Sequence, residues 1–186
     1  MRVFATYNIK GGVGKTSTAV NLSYLAARAG ARTLLWDLDP QAAATYMFRV
    51  KPRVKGGGRA LVRGSRPLDD AIKATDFDNL DLLPADLSYR YLDLWLDSQR
   101  RPTKRLRLLL ETMQDEYDLV VMDCAPSVSL ISENIVRAAD LVLAPVQPSP
   151  LAMRTLDQLA RLQTYYGRRS GEAGVERCRD GTGTRS

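Results

Sequence analysis

The chain has 186 residues, of which 45% are hydrophobic and 26% are charged, so it is long and apolar enough for one compact domain. It has no histidine and two cysteines without metal or disulfide spacing, which excludes serine–histidine triads, histidine metal centres and a disulfide framework. The net charge of +6 favours a polyanionic partner. No signal-peptide core or membrane-length apolar run is present, so we expect a cytoplasmic protein without membrane attachment.

Apolar runs alternate with helical patterns along the N-terminal half, an order typical of α/β proteins with a mostly parallel sheet. A glycine triplet at 56–58 predicts a mobile loop, since it lies in a basic segment without apolar periodicity. The predicted elements are strands at 2–8 and 32–39, a helix at 15–29 that stops at Gly30, and short helices at 41–47 and 67–75.

The C-terminal half continues the alternation and then changes composition. Beyond Gly167 the chain is polar and aperiodic, which predicts one domain over 1–166 and a disordered tail at 167–186. The predicted elements are strands at 79–86, 119–122 and 141–147, and helices at 86–98, 103–117, 132–140 and 151–166.

The segment "IKGGVGKTS", residues 9–17, nearly matches the phosphate-binding pattern G-x-x-x-x-G-K-[ST], although Ile9 replaces its first glycine. A glycine-rich turn between a strand and a helix directs backbone N–H groups and the helix dipole at one anion. We expect Lys15 to contact the β- and γ-phosphates and the Thr16 hydroxyl to ligate Mg²⁺. The predicted nucleotide-binding residues are Gly11, Gly12, Val13, Gly14, Lys15, Thr16 and Ser17.

Three carboxylates follow predicted strands, where the ligands of open α/β sheets collect. Asp123 ends the apolar run "LVVMD" as a Walker B carboxylate does, and it is a candidate Mg²⁺ ligand. Asp37 and Asp39 lie at the end of the second strand; one could assist the metal and the other could orient the attacking water. Ordinary turn capping before Pro40 is the alternative explanation for this pair.

The motifs "KGGVGKTS", "LLWDLDPQ" and "YDLVVMDCAPS", in this order, resemble the deviant Walker ATPases of the ParA/MinD superfamily, specifically the ParA (Soj) partition branch. The resemblance runs through most of the first 165 residues. It implies a P-loop NTPase fold with three α/β/α layers around a mostly parallel sheet. It also implies an ATPase that uses ATP and Mg²⁺, forms a homodimer around two nucleotides, and binds DNA non-specifically in that state.

Such ATPases position DNA or protein cargo on the nucleoid, and a ParB-like partner or cargo adaptor stimulates hydrolysis. By the same matching, Lys10 is the signature lysine that reaches the partner subunit's nucleotide. This role is physically sensible, because a cation from a second subunit stabilises the charge that develops on the phosphates. Lys10, Lys15 and Asp39 are thus the implied catalytic residues, and Asp37, Thr16 and Asp123 the implied metal site.

Relatives in this family continue well past the equivalent of Tyr166 with parts that contribute to adenine recognition, dimerisation and DNA binding. We therefore expect either a naturally short version or a truncated one. The alternative function is a nucleotide-binding switch or non-catalytic fragment that acts on a full-length relative. Related classes are disfavoured: membrane-cycling MinD-like ATPases need an amphipathic anchor, nitrogenase-reductase-like proteins need cluster cysteines, and kinases and cobyrinic-acid-type synthetases need elements we do not find.

Two segments concentrate the positive charge. The first, 49–66, has no acidic residue, and its cations are the candidate DNA contacts, although charge runs are often only solvated surface. These DNA candidates are Arg49, Lys51, Arg53, Lys55 and Arg59. The second segment opens the helix predicted at 103–117 and contains Arg100, Arg101, Lys104, Arg105 and Arg107.

Overall fold

The computed structural model describes residues 1–167; the predicted tail from 168 onward lies outside the described residues. Two short 3₁₀ helices, Leu87–Tyr91 and Glu111–Met113, supplement the regular elements. The strands are β1 (Arg2–Thr6), β2 (Thr33–Asp37), β3 (Lys73–Ala74), β4 (Leu80–Leu83), β5 (Leu119–Asp123) and β6 (Leu141–Leu143). The helices are α1 (Lys15–Arg28), α2 (Ala43–Met47), α3 (Gly57–Arg63), α4 (Leu92–Asp97), α5 (Arg105–Leu110), α6 (Leu130–Ala138) and α7 (Pro150–Gly167).

The six strands form one sheet in the order β3-β4-β2-β5-β1-β6, and every pair is parallel except β3 with β4. Apolar side chains alternate between two cores, one on each face. Val120 and Met122 of β5 belong to the core beneath α3 to α6, whereas Val121 belongs to the core beneath α1 and α2. Helices therefore cover both faces, which confirms the predicted three-layer α/β/α architecture.

The register of the central strands brings polar residues together at the carboxyl edge of the sheet. Asp37 at the end of β2 lies opposite Asp123 at the end of β5, and Asp123 lies opposite Thr6 at the end of β1. All three are fully buried. A parallel sheet thus brings strand-end residues from widely separated parts of the chain into one row.

Helix α1 lies close against the sheet because its inward face carries small residues. Ala19, Ser23 and Ala27 recur at four-residue spacing and are buried. The helix ends at Arg28, one residue before the predicted end, and Gly30 follows with a φ of 94° that suits a glycine. This close packing fixes the start of α1, and with it the glycine loop at 11–14, against the end of β1.

The glycine triplet does not form a mobile loop, and this prediction is wrong. Gly57 and Gly58 begin helix α3, which buries Leu61 and Val62 in the core. A Cβ atom at Gly58 would lie 2.9 Å from Tyr89 and 3.0 Å from Trp95. Gly58 therefore serves close packing rather than flexibility, a distinction that the local sequence does not reveal.

Two predicted helices also need correction. Residues 67–75 form a turn followed by β3, because Lys73 and Ala74 pair with β4 as an antiparallel edge. The helix predicted at 103–117 is shorter: α5 covers Arg105–Leu110 and is followed by the second 3₁₀ helix. In both segments tertiary contacts override a weak local preference for helix.

We predict that Gly58→Ala lowers the free energy of unfolding by about 1–3 kcal/mol, because the added methyl group crowds the rings of Tyr89 and Trp95. Urea denaturation of the two proteins measures the difference. Gly11→Ala is the matched control, since a Cβ there meets no atom within 4 Å, and we expect it to change stability by less than about 0.5 kcal/mol. Equal stability of wild type and Gly58→Ala would contradict the packing role.

Candidate nucleotide-binding site

The loop between β1 and α1 leaves its backbone accessible. Gly12 and Gly14 have φ values of 72° and 93°, which side chains rarely tolerate, and Gly14 precedes the first turn of α1. A Cβ atom at Gly11, Gly12 or Gly14 would meet nothing within 4 Å. The loop therefore offers backbone N–H groups to a ligand without shielding by side chains, as a phosphate cradle requires.

Lys15 turns inward beneath this loop. It is 7% exposed, and its Nζ donates a hydrogen bond to the carbonyl oxygen of Lys10 at 3.0 Å. Burial lowers the pKa of Lys15, while Asp123 and Asp39 oppose that shift by favouring the charged form. The ammonium group is thus held inside the loop, close to the carboxylates of the strand ends.

Two residues that the sequence analysis missed anchor the loop to the segment that follows β6. The Asn8 side chain accepts a hydrogen bond from the Lys10 N–H at 2.9 Å and donates one to the Pro145 carbonyl at 2.8 Å. Gln147 Nε2 donates to the Gly12 carbonyl at 3.2 Å. Asn8 follows β1 and Gln147 follows β6, so the adjacency of the two parallel strands could have indicated both.

Asp123 is the buried charge of the site. Neither of its carboxylate oxygens has a hydrogen-bond partner among residues 1–167. Burial raises the pKa of Asp123 to about 7, and Asp37 and Asp39 add to this shift. The Thr16 hydroxyl, which lies near the carboxylate but outside good hydrogen-bond geometry, and the charge of Lys15 oppose it. A buried carboxylate without donors is costly, and a cation is the partner that removes the cost.

Asp37 lies in the same row, but its oxygens are occupied. Oδ1 accepts the Asp39 N–H at 3.1 Å, and Oδ2 accepts the N–H and the hydroxyl of Thr45 at 2.8 and 2.7 Å. The Thr45 hydroxyl in turn accepts the N–H of Ala85 at 2.9 Å. These bonds join the ends of β2 and β4 to α2. They favour a positioning role for Asp37, and its metal-binding role stays a prediction.

The other predicted catalytic residues border the loop. Asp39 is half-buried, and its Oδ1 accepts the N–H of Gln41 at 2.9 Å, so it caps the turn after β2. Lys10 is also half-buried, and no carboxylate lies within ion-pair distance of it among residues 1–167. Val13 and Thr16 are half-buried and Ser17 is exposed. The predicted catalytic and nucleotide-binding residues thus meet at one edge of the sheet.

The residues present fit Mg²⁺ with a nucleotide. No group of three or more histidine, cysteine or acidic side chains that could enclose a metal occurs in the described part of the chain. Mg²⁺ does not need such a cage, because it takes one or two protein oxygens and completes its shell with phosphates and water. The candidate direct ligands of Mg²⁺ are the Asp123 carboxylate, which has no hydrogen-bond donors, and the adjacent Thr16 hydroxyl.

The predicted DNA contacts are all exposed. Arg49 pairs with Asp76 at 2.5 Å on the surface, and Arg53 helps to lower the pKa of Asp86. Lys51, Lys55 and Arg59 are exposed, and no carboxylate lies within ion-pair distance of them in residues 1–167. The segment thus keeps free cations, while two of its arginines already have acidic neighbours.

Comparison with known proteins places this geometry in a family. A family model described as an AAA domain matches residues 1–167. The chain belongs to this family. It is 37% identical over 159 residues to the sporulation initiation inhibitor protein Soj of Bacillus subtilis, covering 85% of this chain and 63% of Soj. It is 37% identical over 164 residues to the chromosome partitioning protein ParA of Caulobacter vibrioides, covering 87% of this chain and 61% of that protein.

A solved structure of another protein has a fold similar to that of this chain. Cobyrinic acid a,c-diamide synthase from Mycobacterium smegmatis, with bound ADP and magnesium, superposes with a TM-score of 0.84 at 30% identity, covering 90% of this chain and 69% of that one. The resemblance to ParA and Soj and the P-loop fold are therefore confirmed. The chain spans a little over 60% of the length of the curated relatives it matches. Among residues 1–167, no helix combines the length and apolarity needed to cross a bilayer.

We predict that Asp123→Asn stabilises the nucleotide-free protein more at pH 8 than at pH 5. The folded-state pKa of Asp123 is about 7, above the unfolded value of about 4, so its burial penalty grows as pH rises between these values and is complete above the folded pKa. Urea denaturation should show a gain from Asp123→Asn that is about 3 kcal/mol larger at pH 8 than at pH 5. The exposed Asp97→Asn is the control, and a pH-independent gain would contradict the assignment.

Proposed function

We propose that the chain is a Mg²⁺-dependent, ATP-hydrolysing switch of the ParA type, which dimerises around ATP and binds DNA without sequence preference. One observation carries the proposal: Asp123 presents two buried oxygens without donors beside Lys15, which lies under an open glycine loop. A phosphate group would satisfy Lys15 and the glycine loop, and the Mg²⁺ that it carries would satisfy Asp123. The names of the relatives, the chromosome partitioning protein ParA and Soj, support the biological context.

The site residues divide the work of binding. The backbone N–H groups of residues 11–16 cradle the phosphates, and Lys15 moves its ammonium group from the Lys10 carbonyl to the β- and γ-phosphates. Thr16 and Asp123 would hold Mg²⁺, which neutralises phosphate charge when it is bound. The ADP and magnesium in the Mycobacterium smegmatis structure support this choice of ligand.

Hydrolysis depends on two further residues. Asp39 orients the attacking water from the turn after β2, which Asp37 and Thr45 hold in place. Lys10 supplies its charge to the nucleotide of a second subunit, where it stabilises the phosphates in the transition state. Its lack of a carboxylate partner among residues 1–167 supports this role. Hydrolysis, stimulated by a ParB-like partner or cargo adaptor, ends the DNA-bound state on the nucleoid.

Light scattering with ATP and Mg²⁺ tests the switch. We expect Asp39→Ala to accumulate an ATP-bound dimer, because water activation is lost while binding is kept, and Lys10→Ala to remain monomeric or to lose hydrolysis at least about 100-fold. Lys73→Ala and Asp97→Ala are the controls, since both residues are exposed and belong to other elements. Identical monomers and no turnover in every sample would instead support a non-catalytic fragment.

A second experiment tests the DNA contacts of the segment 49–59. Reversing Arg53, Lys55 and Arg59 to glutamate should weaken binding to two unrelated duplexes equally and flatten the salt dependence, because phosphate contacts carry no sequence information. Fluorescence anisotropy across a salt titration measures both effects. The control reverses three exposed arginines elsewhere, Arg28, Arg154 and Arg161. An affinity equal to that of wild type would reject these contacts.

A further inference from the structure

A second basic surface lies on α5, the segment before it and α6. Two adjoining concavities of about 290 and 440 Å³ share Arg101 and Leu108 in their walls. Their sizes fall within or near the range of ligand sites, but charged rather than apolar side chains line them. We call this surface the basic trough; its cations are Arg100, Arg101, Lys104, Arg105, Arg107 and Arg137.

Most of this charge is not neutralised within the described chain. Among residues 1–167, no carboxylate lies within ion-pair distance of Arg100, Arg101 or Lys104, and all three are exposed. Arg107 touches Glu111 at 3.3 Å in an exposed pair of the kind that contributes little. Arg137 differs, because Glu133 pairs with it at 2.8 Å in a largely buried position. The trough therefore presents four cations to a ligand.

The trough is a built surface rather than a run of free side chains. The Asn134 side chain on α6 accepts the N–H of Arg105 at 2.9 Å and donates to the Pro102 carbonyl at 2.7 Å. The Arg105 guanidinium donates to the carbonyl of Val62 near the end of α3. These bonds fix the start of α5 against two other helices, so the neighbouring cations are held near one another before any ligand arrives.

The Arg105 contact also joins the two basic segments of the sequence. Helix α3 belongs to the segment 49–66, and Arg63 is exposed in its last turn. The basic trough therefore adjoins the first basic segment, although about 40 residues separate them in the chain. A long, regularly charged partner suits such a surface better than a small anion does.

The lining of the trough indicates the class of partner. No large hydrophobic side chain between 99 and 111 is exposed, so the trough has neither an apolar anchor for a protein interface nor side chains for insertion into a membrane. Interfaces with nucleic acids are polar and rich in arginine. We propose that the basic trough binds the phosphate backbone of duplex DNA without sequence preference, a site that rests on the DNA-binding part of the proposed function.

The test compares wild type with a variant carrying Arg101→Gln, Lys104→Gln and Arg107→Gln. In fluorescence anisotropy, we expect at least about tenfold weaker binding to each of two unrelated duplexes, and a slope of log K against log salt that is smaller by about 2 to 3. A matched variant with Arg28, Arg154 and Arg161 changed to glutamine loses the same charge and should bind within about twofold of wild type. Equal weakening of both variants, or none in the first, overturns the proposal.

Further variants keep the result interpretable. Arg101→Lys with Arg107→Lys should keep the wild-type salt slope, because a phosphate contact needs only the charge. If the triple variant fails to fold by circular dichroism, the exposed Lys104→Gln alone should lower the slope by about 1. Phosphatidylserine vesicles and polyglutamate replace DNA in parallel titrations. An effect of the triple variant on these polyanions, with DNA binding intact, overturns the proposal in favour of a membrane or an acidic protein.

Failure of this proposal is distinguishable from failure of the proposed function. No trough residue belongs to the phosphate-binding loop, so ATP hydrolysis measured without DNA should be the same in wild type and the triple variant. Absence of hydrolysis in wild type rejects the ATPase and leaves the DNA titrations valid. DNA binding that depends on residues 53–59 but not on the trough rejects the trough alone. A wild type that binds neither duplex rejects both DNA proposals.

Discussion

The site depends on one constraint: the parallel sheet buries the Asp123 carboxylate at a strand end and gives neither oxygen a donor among the described residues. Desolvation of an unpaired carboxylate is expensive, and the rise of its pKa to about 7 expresses that cost. Strands β1 and β2 flank β5, so the polypeptide itself prevents water from solvating the group. The buried Asp123 carboxylate thus lowers the stability of the fold, and a bound cation would offset this cost.

Asp37 and Asp123 are the same residue type at the same level of the sheet, but they differ in their hydrogen bonds. Both are fully buried and face each other in register. Thr45 and the Asp39 N–H satisfy Asp37, which makes it a tie between β2 and α2. Asp123 has no such donors. Hydrogen-bond satisfaction therefore distinguishes the two carboxylates where burial and sequence context do not, and it makes Asp123 the stronger candidate ligand.

The basic surfaces show a similar division between charge and its surroundings. In the segment 49–59, Arg49 and Arg53 have acidic neighbours from distant parts of the chain, Asp76 and Asp86. In the basic trough, Arg101 and Lys104 have none among the described residues, and packing on α6 gathers them into a concavity. The density of positive charge in the sequence thus overestimates the charge that segment 49–59 offers to a ligand and underestimates that of the basic trough. The reason is that neutralisation and surface curvature depend on the tertiary structure.

The sequence by itself determined the class of fold and predicted where the phosphate loop lies. The spacing of Gly12, Gly14, Lys15 and Thr16 is typical of a loop that binds phosphate. Apolar strands such as β5 can be predicted because a strand that is buried on both faces needs a continuous apolar run. The sequence also placed Asp123 at a strand end. Local rules suffice for these features because their causes lie within a few neighbouring residues.

Only the tertiary structure decided the remaining features. The prediction at Gly58 was wrong because its packing depends on Tyr89 and Trp95, about 30 residues away, and the helix predicted at 67–75 was wrong because Lys73 and Ala74 pair with the nearby strand β4. Asn8 and Gln147 became visible as anchors of the loop when β1 and β6 were seen to be neighbours. The difference between Asp37 and Asp123, and the closeness of the two basic segments, have the same origin: long-range contacts supply or withhold partners, and no local pattern encodes them.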